Sequence, residues 1–170
     1  ALNIIRSEFE IKNTVFRNVS SDAFDSDFSK GSVLNSKFYN IGNDAIDVSG
    51  SLVKVVSSSI DKSGDKAISA GERSDLQAYD LKINNSNIGI ASKDLSLVKI
   101  INLDIKNTRN CFVAFQKKPE YGPGAIEIKT TNAQICDTYL LEEGSSISST
   151  LKSFSPNTED VYKILYSDDE

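Results

Sequence analysis

Apolar positions along this chain recur at a fixed interval much longer than a helical turn. Aligning SDAFDSDF (21–28), NDAIDVSG (43–50), DKAISAGE (65–72), NIGIASKD (87–94) and NCFVAFQK (110–117) puts Phe24, Ile46, Ile68, Ile90 and Val113 in one column, with steps of 22, 22, 22 and 23. A second column runs Phe16, Phe38, Ile60, Ile83, Ile105. A third runs Ile11, Val33, Val55, Ala78, Ile100 and extends to Ile128 across a 28-residue step, because KKPEYGPG (117–124) inserts a loop. Within each repeat, runs such as VLNSKF, LVKVV, LVKIINLDI and AIEIKT alternate apolar with polar. That predicts short strands with inward residues two apart, and not amphipathic helices.

Three columns in one register over five repeats predict an all-β fold: a single-stranded right-handed parallel β-helix of about six coils with a ~22-residue period. A leucine-rich repeat has a similar period but needs a Leu/Asn consensus that is absent here. An antiparallel sandwich would not repeat its columns every coil. Between the columns, Asn13, Asn35, Ser57, Asp80 and Asn102 share one place, and Asn18, Asn40, Lys62, Asn85 and Asn107 another. Asn tolerates positive φ, so both sets predict sharp bends, and stacked amides can bond from coil to coil. Residues 1–144 are assigned to the β-helix. Residues 145–170 are assigned to a C-terminal segment that caps the rod, through Val161, Tyr162, Ile164 and Leu165, and ends in an acidic tail (Asp168, Asp169, Glu170).

Composition narrows the function. A net charge of −5 with interspersed lysines argues against a nucleic-acid partner, and no apolar run approaches the ~20 residues of a membrane span. The opening residues already carry repeat-like sequence and lack a signal-peptide core and an initiator Met, so the chain reads as a processed protein or a fragment of a larger polypeptide. Cys111 and Cys136 form no C-x-x-C pair and there is no His, which argues against zinc. Sequence leaves open whether the two thiols form one disulfide or stay separate.

With Phe24 and Ile46 inward, Asp25, Asp27 and Asp47 face outward together, with Asp25 one coil from Asp47. Such a cluster suits Ca²⁺ or acid–base work on a polysaccharide, or is a solvated face relieved by Lys30 and Lys66. Ca²⁺ is the one cofactor the sequence suggests. Farther along that face come Ser69, Gly71, Ala91 and Lys93. The inserted loop offers Phe115, Tyr121, Lys117 and Lys118, with Lys93 nearby, as rings and cations for an acidic sugar. The alternative is an ordinary turn set by Pro119, Gly122, Pro123 and Gly124.

The run DAFDSDFSKGSVLNSKFYNIGNDAIDVSGS (22–51), with KAISAGE (66–72), IGIASKD (88–94) and FQKKPEYGPG (115–124), resembles the parallel β-helix domain found beside CotH-like modules in bacterial exported proteins, within the broader pectate-lyase-like class. The resemblance covers roughly residues 7–144 and implies an exported, envelope-associated protein with a polysaccharide or cell-envelope protein as partner. SDAFDSDF also looks like the Y-G-F-D-P-H-E motif of mannuronan C5-epimerases, with Ser26, Asp27 and Phe28 replacing Pro-His-Glu. NDAIDVSGS is similar to the G-D-D-C motif of polygalacturonases, keeping only Asp44 and Asp47. Without His, the proton shuttle of both families is missing, although a lyase with a Lys base (Lys30, Lys66 or Lys93) and Ca²⁺ would not need one. The expectation is a non-catalytic module, a rigid scaffold or a carbohydrate- or protein-binding surface. The alternative is a polysaccharide lyase or epimerase acting on uronate-containing glycans. An ice-binding solenoid is disfavoured, because no face carries a Thr-x-Thr array.

Overall fold

A computed structural model describes residues 1–129, 136 and 138–166. The acidic residues Asp168, Asp169 and Glu170 lie outside the described residues.

The alternating runs form short strands joined by tight corners. The first coil holds β1 (Leu2–Ile5), β2 (Glu8–Lys12) and β3 (Val15–Val19). The next two repeat it as β4 (Phe24–Asp27), β5 (Lys30–Leu34), β6 (Lys37–Ile41), then β7 (Ile46–Ser49), β8 (Leu52–Val56), β9 (Ser59–Ser63). In the following coils the second and third strands run together: β10 (Lys66–Gly71), β11 (Asp75–Asn84), β12 (Ile88–Lys93), β13 (Leu97–Lys106). The stack continues through β14 (Asn110–Phe115), β15 (Ala125–Lys129), β16 (Tyr139–Leu141) and β17 (Ser146–Ser149), and the chain then reaches a short helix, α1 (Val161–Tyr166).

Every strand pair is parallel. Among the described residues β1-β4-β7-β10-β12-β14-β16 form a seven-stranded sheet. β17-β15-β13-β11-β8-β5-β2 form the spine of a ten-stranded one, to which β3, β6 and β9 add. The molecule is thus an all-β parallel β-solenoid of about six turns with the ~22-residue period.

The second and third columns appear as drawn from sequence. Phe16↔Phe38↔Ile60↔Ile83↔Ile105 are Cα partners. So are Ile11↔Val33↔Val55↔Ala78↔Ile100, and Ile100↔Ile128 holds across the insertion. One member of the first column moves. Ile90 pairs with Phe112, and Val113 pairs with Ala91 on the opposite side of the strand. Both residues are apolar, so hydropathy could not choose between them; ladder register does, and the step becomes 22. Phe24, Ile46, Ile68, Ile90 and Phe112 are all fully buried.

All ten residues of the two corner sets have positive φ, between 48° and 66°, including Ser57, Lys62 and Asp80. Amide bonds join parts of the ladder, such as Asn40 Nδ2 to Asn18 Oδ1 (2.9 Å) and Asn102 Nδ2 to Asp80 Oδ1 (3.0 Å). A third corner has the same backbone: Arg6, Phe28, Gly50, Glu72 and Asp94, with φ from 47° to 60°. Just after it runs a buried serine ladder. The amide of Ser7 donates to Ser29 Oγ (3.0 Å), Ser29 to Ser51 (2.9 Å), Ser51 to Ser74 (3.1 Å) and Ser74 to Ser96 (3.1 Å). Each hydroxyl thereby satisfies an amide that the bend removes from the sheet.

The chain after β17 does two things. Phe154 lies over the end of the core, edge-on to Phe112 (6.0 Å) and Tyr139 (5.0 Å). Helix α1 does not cover that end. It lies along the outside of the seven-stranded sheet, where Val161, Leu165 and Tyr166 pack with Ile88, Ala91, Val113, Phe115 and Leu140. Tyr162 and Ile164 point to solvent. Cys111 and Cys136 are joined as a disulfide with Cα atoms 6.1 Å apart, resolving the alternative left open by the sequence. No helix among the described residues is long and apolar enough to cross a membrane.

Three substitutions test this architecture. Ser51→Ala strands the buried Ser29 amide and should lower unfolding free energy by about 1–3 kcal/mol. Ile68→Ala should cost about 2–5 kcal/mol. Urea unfolding reads both, and a neutral Ser51→Ala would refute the serine ladder as a stabilising element. Cys136→Ser opens a cross-link between residues 25 apart in sequence and should cost about 2–4 kcal/mol in the same assay.

Candidate functional site

The outer face of the seven-stranded sheet gathers most of the residues singled out from sequence. One axial row reads Asp25↔Asp47↔Ser69↔Ala91↔Val113↔Leu140. Its neighbour carries Asp27↔Ser49↔Gly71, followed by Lys93↔Phe115. The face is therefore acidic in the early coils, small and polar in the middle, and apolar where α1 covers it.

Lys93 links these zones. Its side chain lies back along the rod over Gly71: a Cβ on residue 71 would come within 2.9 Å of Lys93 Cε. The absence of a side chain there leaves the lane open. The ammonium donates to Ser69 Oγ (2.7 Å) and stands 4.0 Å from Asp47 Oδ1. That carboxylate oxygen is buried and has no hydrogen-bond partner. One coil away, Asp25 Oδ2 accepts a bond from Asn3 Nδ2 (2.9 Å). Burial, then repulsion from Asp27, Asp47 and Asp22, pushes the Asp25 carboxyl up to about 6.

The other residues separate into structural roles. Lys30 does not relieve the aspartates: it lies beyond the Phe28 corner, paired with Glu8 and Leu52 on the ten-stranded sheet. Lys66 is buried, 3.6 Å from Asp44 and bonded to Asp65, with its ammonium 5.7 Å from the Tyr166 ring. Burial opposes its charge, but Asp44, Tyr166 and Asp65 outweigh that and raise its pKa. Phe115 is fully buried beneath α1, so its ring faces the helix and not solvent.

The inserted loop is folded onto the rod. Buried Asp94 accepts the amides of Lys117 (2.8 Å) and Lys118 (2.7 Å) through Oδ1, and Gln116 Nε2 donates to Tyr121 O (2.7 Å). Lys118 is ion-paired with Glu72, and the Arg73 guanidinium lies 5.7 Å from the Tyr121 ring centre. Lys117 points the other way, its ammonium 4.8 Å from the Tyr166 ring, and burial followed by Lys93 and Lys66 lowers its pKa. The structure thus brings Lys93 and Lys117 toward the outer face of the seven-stranded sheet and engages Lys118 and Tyr121 elsewhere.

Among the described residues no group of three or more His, Cys, Asp or Glu side chains is arranged to hold a metal ion. Asp25 and Asp47 are direct neighbours, and Asp27 stands in the next row. Tyr166, which sequence reasoning passed over, closes the C-terminal side of this region, and nothing in the repeat signals it. No family model, curated protein or solved structure matches the chain.

The raised Asp25 pKa has a sign that can be checked. Its stabilising contribution is full below the ordinary value of 3.8 and is lost as pH rises through about 6, where the carboxyl must ionise beside Asp27 and Asp47. Thermal unfolding between pH 4 and 8 should show Asp25→Asn losing less stability than the parent across that window. Superimposable profiles would sink the assignment.

Proposed function

We propose that this chain is a non-catalytic β-solenoid module of an exported bacterial protein, a rigid scaffold that holds a glycan along the outer face of its seven-stranded sheet. The observation that carries the reading is the lane formed by Asp47, Ser69 and Lys93. Ser69 is fully buried and accepts from Lys93, so the groups on offer are the Lys93 ammonium and the partly exposed Asp47 carboxylate, with Asp25 and Asp27 beside it, a compact charged patch that suits a polar sugar. Helix α1 bounds the lane at one end. The Cys111–Cys136 disulfide fits an oxidising compartment, in keeping with export. Right-handed coiling and kinship with the pectate-lyase-like class and the domains beside CotH-like modules belong to this same proposal, as does membership of a larger polypeptide.

A second reading has one observation in its favour. Asp25, titrating near 6 one coil from Asp47, has the makings of a proton-transfer group, and the Lys93 ammonium beside Asp47 can hold a uronate carboxylate, as a lyase or epimerase acting on uronates needs. One experiment separates the two. Under the first reading a glycan array detects binding that Asp47→Ala and Lys93→Ala weaken about tenfold, with no rise in unsaturated-uronate absorbance. Product formation abolished by Asp47→Ala would move the protein to the second reading. Binding unchanged in both variants would remove the lane as the site.

A further inference from the structure

The ten-stranded sheet turns a different surface to solvent. Over the four coils of β5, β8, β11 and β13 its outward rows run axially with one residue per coil. One row is apolar throughout: Leu34, Val56, Tyr79, Ile101. The row beside it holds Lys54, Gln77 and Lys99. Leu52 and Ile101 are 54% and 37% exposed, so apolar side chains face water here without cover from any described segment. Two hollows indent the face, one of about 470 Å³ bounded by Leu52, Lys54 and Gln77, the other of about 180 Å³ bounded by Tyr79, Lys99 and Ile101.

Charge on this face is locally positive. Over these four coils its outward positions carry three lysines, Lys30, Lys54 and Lys99, against one carboxylate, Asp75, in a protein of net charge −5, while the flanking strands add Glu8, Glu10 and Lys12 at one end and Glu127 and Lys129 at the other. None of the three lysines makes an ion pair among the described residues. The Lys54 ammonium instead sits 4.9 Å from the Tyr79 ring centre, and Tyr79 donates its hydroxyl proton to Gln77 Oε1 (3.2 Å). An exposed apolar row flanked by cations marks a surface for a partner with apolar residues and acidic flanks.

Spacing indicates the partner's form. Coils repeat every ~4.8 Å and an α-helix every ~5.4 Å, so a helix lying along the rod meets the apolar row with about one side chain per turn. The protein already uses this arrangement on its other sheet, where α1 lays Val161 and Leu165 on Ala91, Val113 and Phe115. We infer that the outer face of the ten-stranded sheet is a docking surface for an acidic amphipathic helix of a protein partner. Its aliphatic residues seat along Leu34, Val56, Tyr79 and Ile101, and its carboxylates meet Lys54 and Lys99. The four coils span ~14 Å, about ten residues of helix. This surface is separate from the glycan lane, and either can fail without the other.

The test uses the full chain and a synthetic peptide with leucine at each helical turn flanked by glutamate. A second peptide carries lysine in place of glutamate. The acidic peptide should bind, shift the amide resonances of Lys54, Tyr79, Lys99 and Ile101, and weaken about tenfold against Lys54→Glu or Lys99→Glu. All these positions face outward, and unchanged melting curves will confirm that the variants fold. The lysine peptide should not bind. Absence of acidic-peptide binding, indifference to charge reversal, or shifts confined to the seven-stranded sheet would overturn the inference. So would anionic phosphatidylglycerol vesicles or polygalacturonate binding this face in preference to the peptide.

Discussion

The whole molecule depends on each coil returning its backbone to the same register as the one before. A parallel strand can bond to the next coil only if the circuit closes in a fixed number of residues, and that demand falls on the corners. In each of the first five coils three corners take left-handed backbone, a conformation most side chains avoid. Asn makes it tolerable at two of them, and inter-coil bonding holds it even where Lys62, Phe28 or Glu72 stands. The corner serines then supply the acceptors that the bends withhold from the backbone.

Register also decides what the outer faces can be. Because side chains alternate and coils repeat, each outward row runs the length of the rod, and its chemistry changes only as the sequence changes from coil to coil. On one sheet that gives a gradient from aspartate through serine and glycine to aliphatic residues, where α1 settles. On the other it gives an apolar row beside lysines. The buried charges serve the scaffold: Asp94 holds the inserted loop, and Lys66 with Asp44 sits beneath Tyr166.

Most of the fold was legible in the sequence, since a packed column requires apolar residues at a constant step and two corners favour asparagine. The exceptions are instructive. Val113 stood in for Phe112 because hydropathy cannot count ladder bonds. The third corner passed unnoticed because Arg6, Phe28, Gly50, Glu72 and Asp94 share a conformation but no chemistry. The serines were visible at the same period, yet serine is common enough that a buried ladder does not stand out. The outward aspartates and Lys93 could be placed on one face from parity alone. That Lys93 leans over Gly71 toward Asp47, that Phe115 is covered, and that Lys30 lies around a corner all depend on side-chain direction and the path of the tail. Neither is periodic.

The insertion between Phe115 and Ala125 leaves the coil register untouched. Ile100 and Ile128 remain partners although six more residues separate them than the usual step of 22 (28 − 22 = 6), so the detour is silent to the stack. Asp94 and Gln116 secure its two shoulders, leaving Glu120 and its neighbours at the crest. Such a place can vary in length from one descendant to the next while the rod stays the same, which makes it the natural point for grafting a foreign peptide and displaying it on a stiff support.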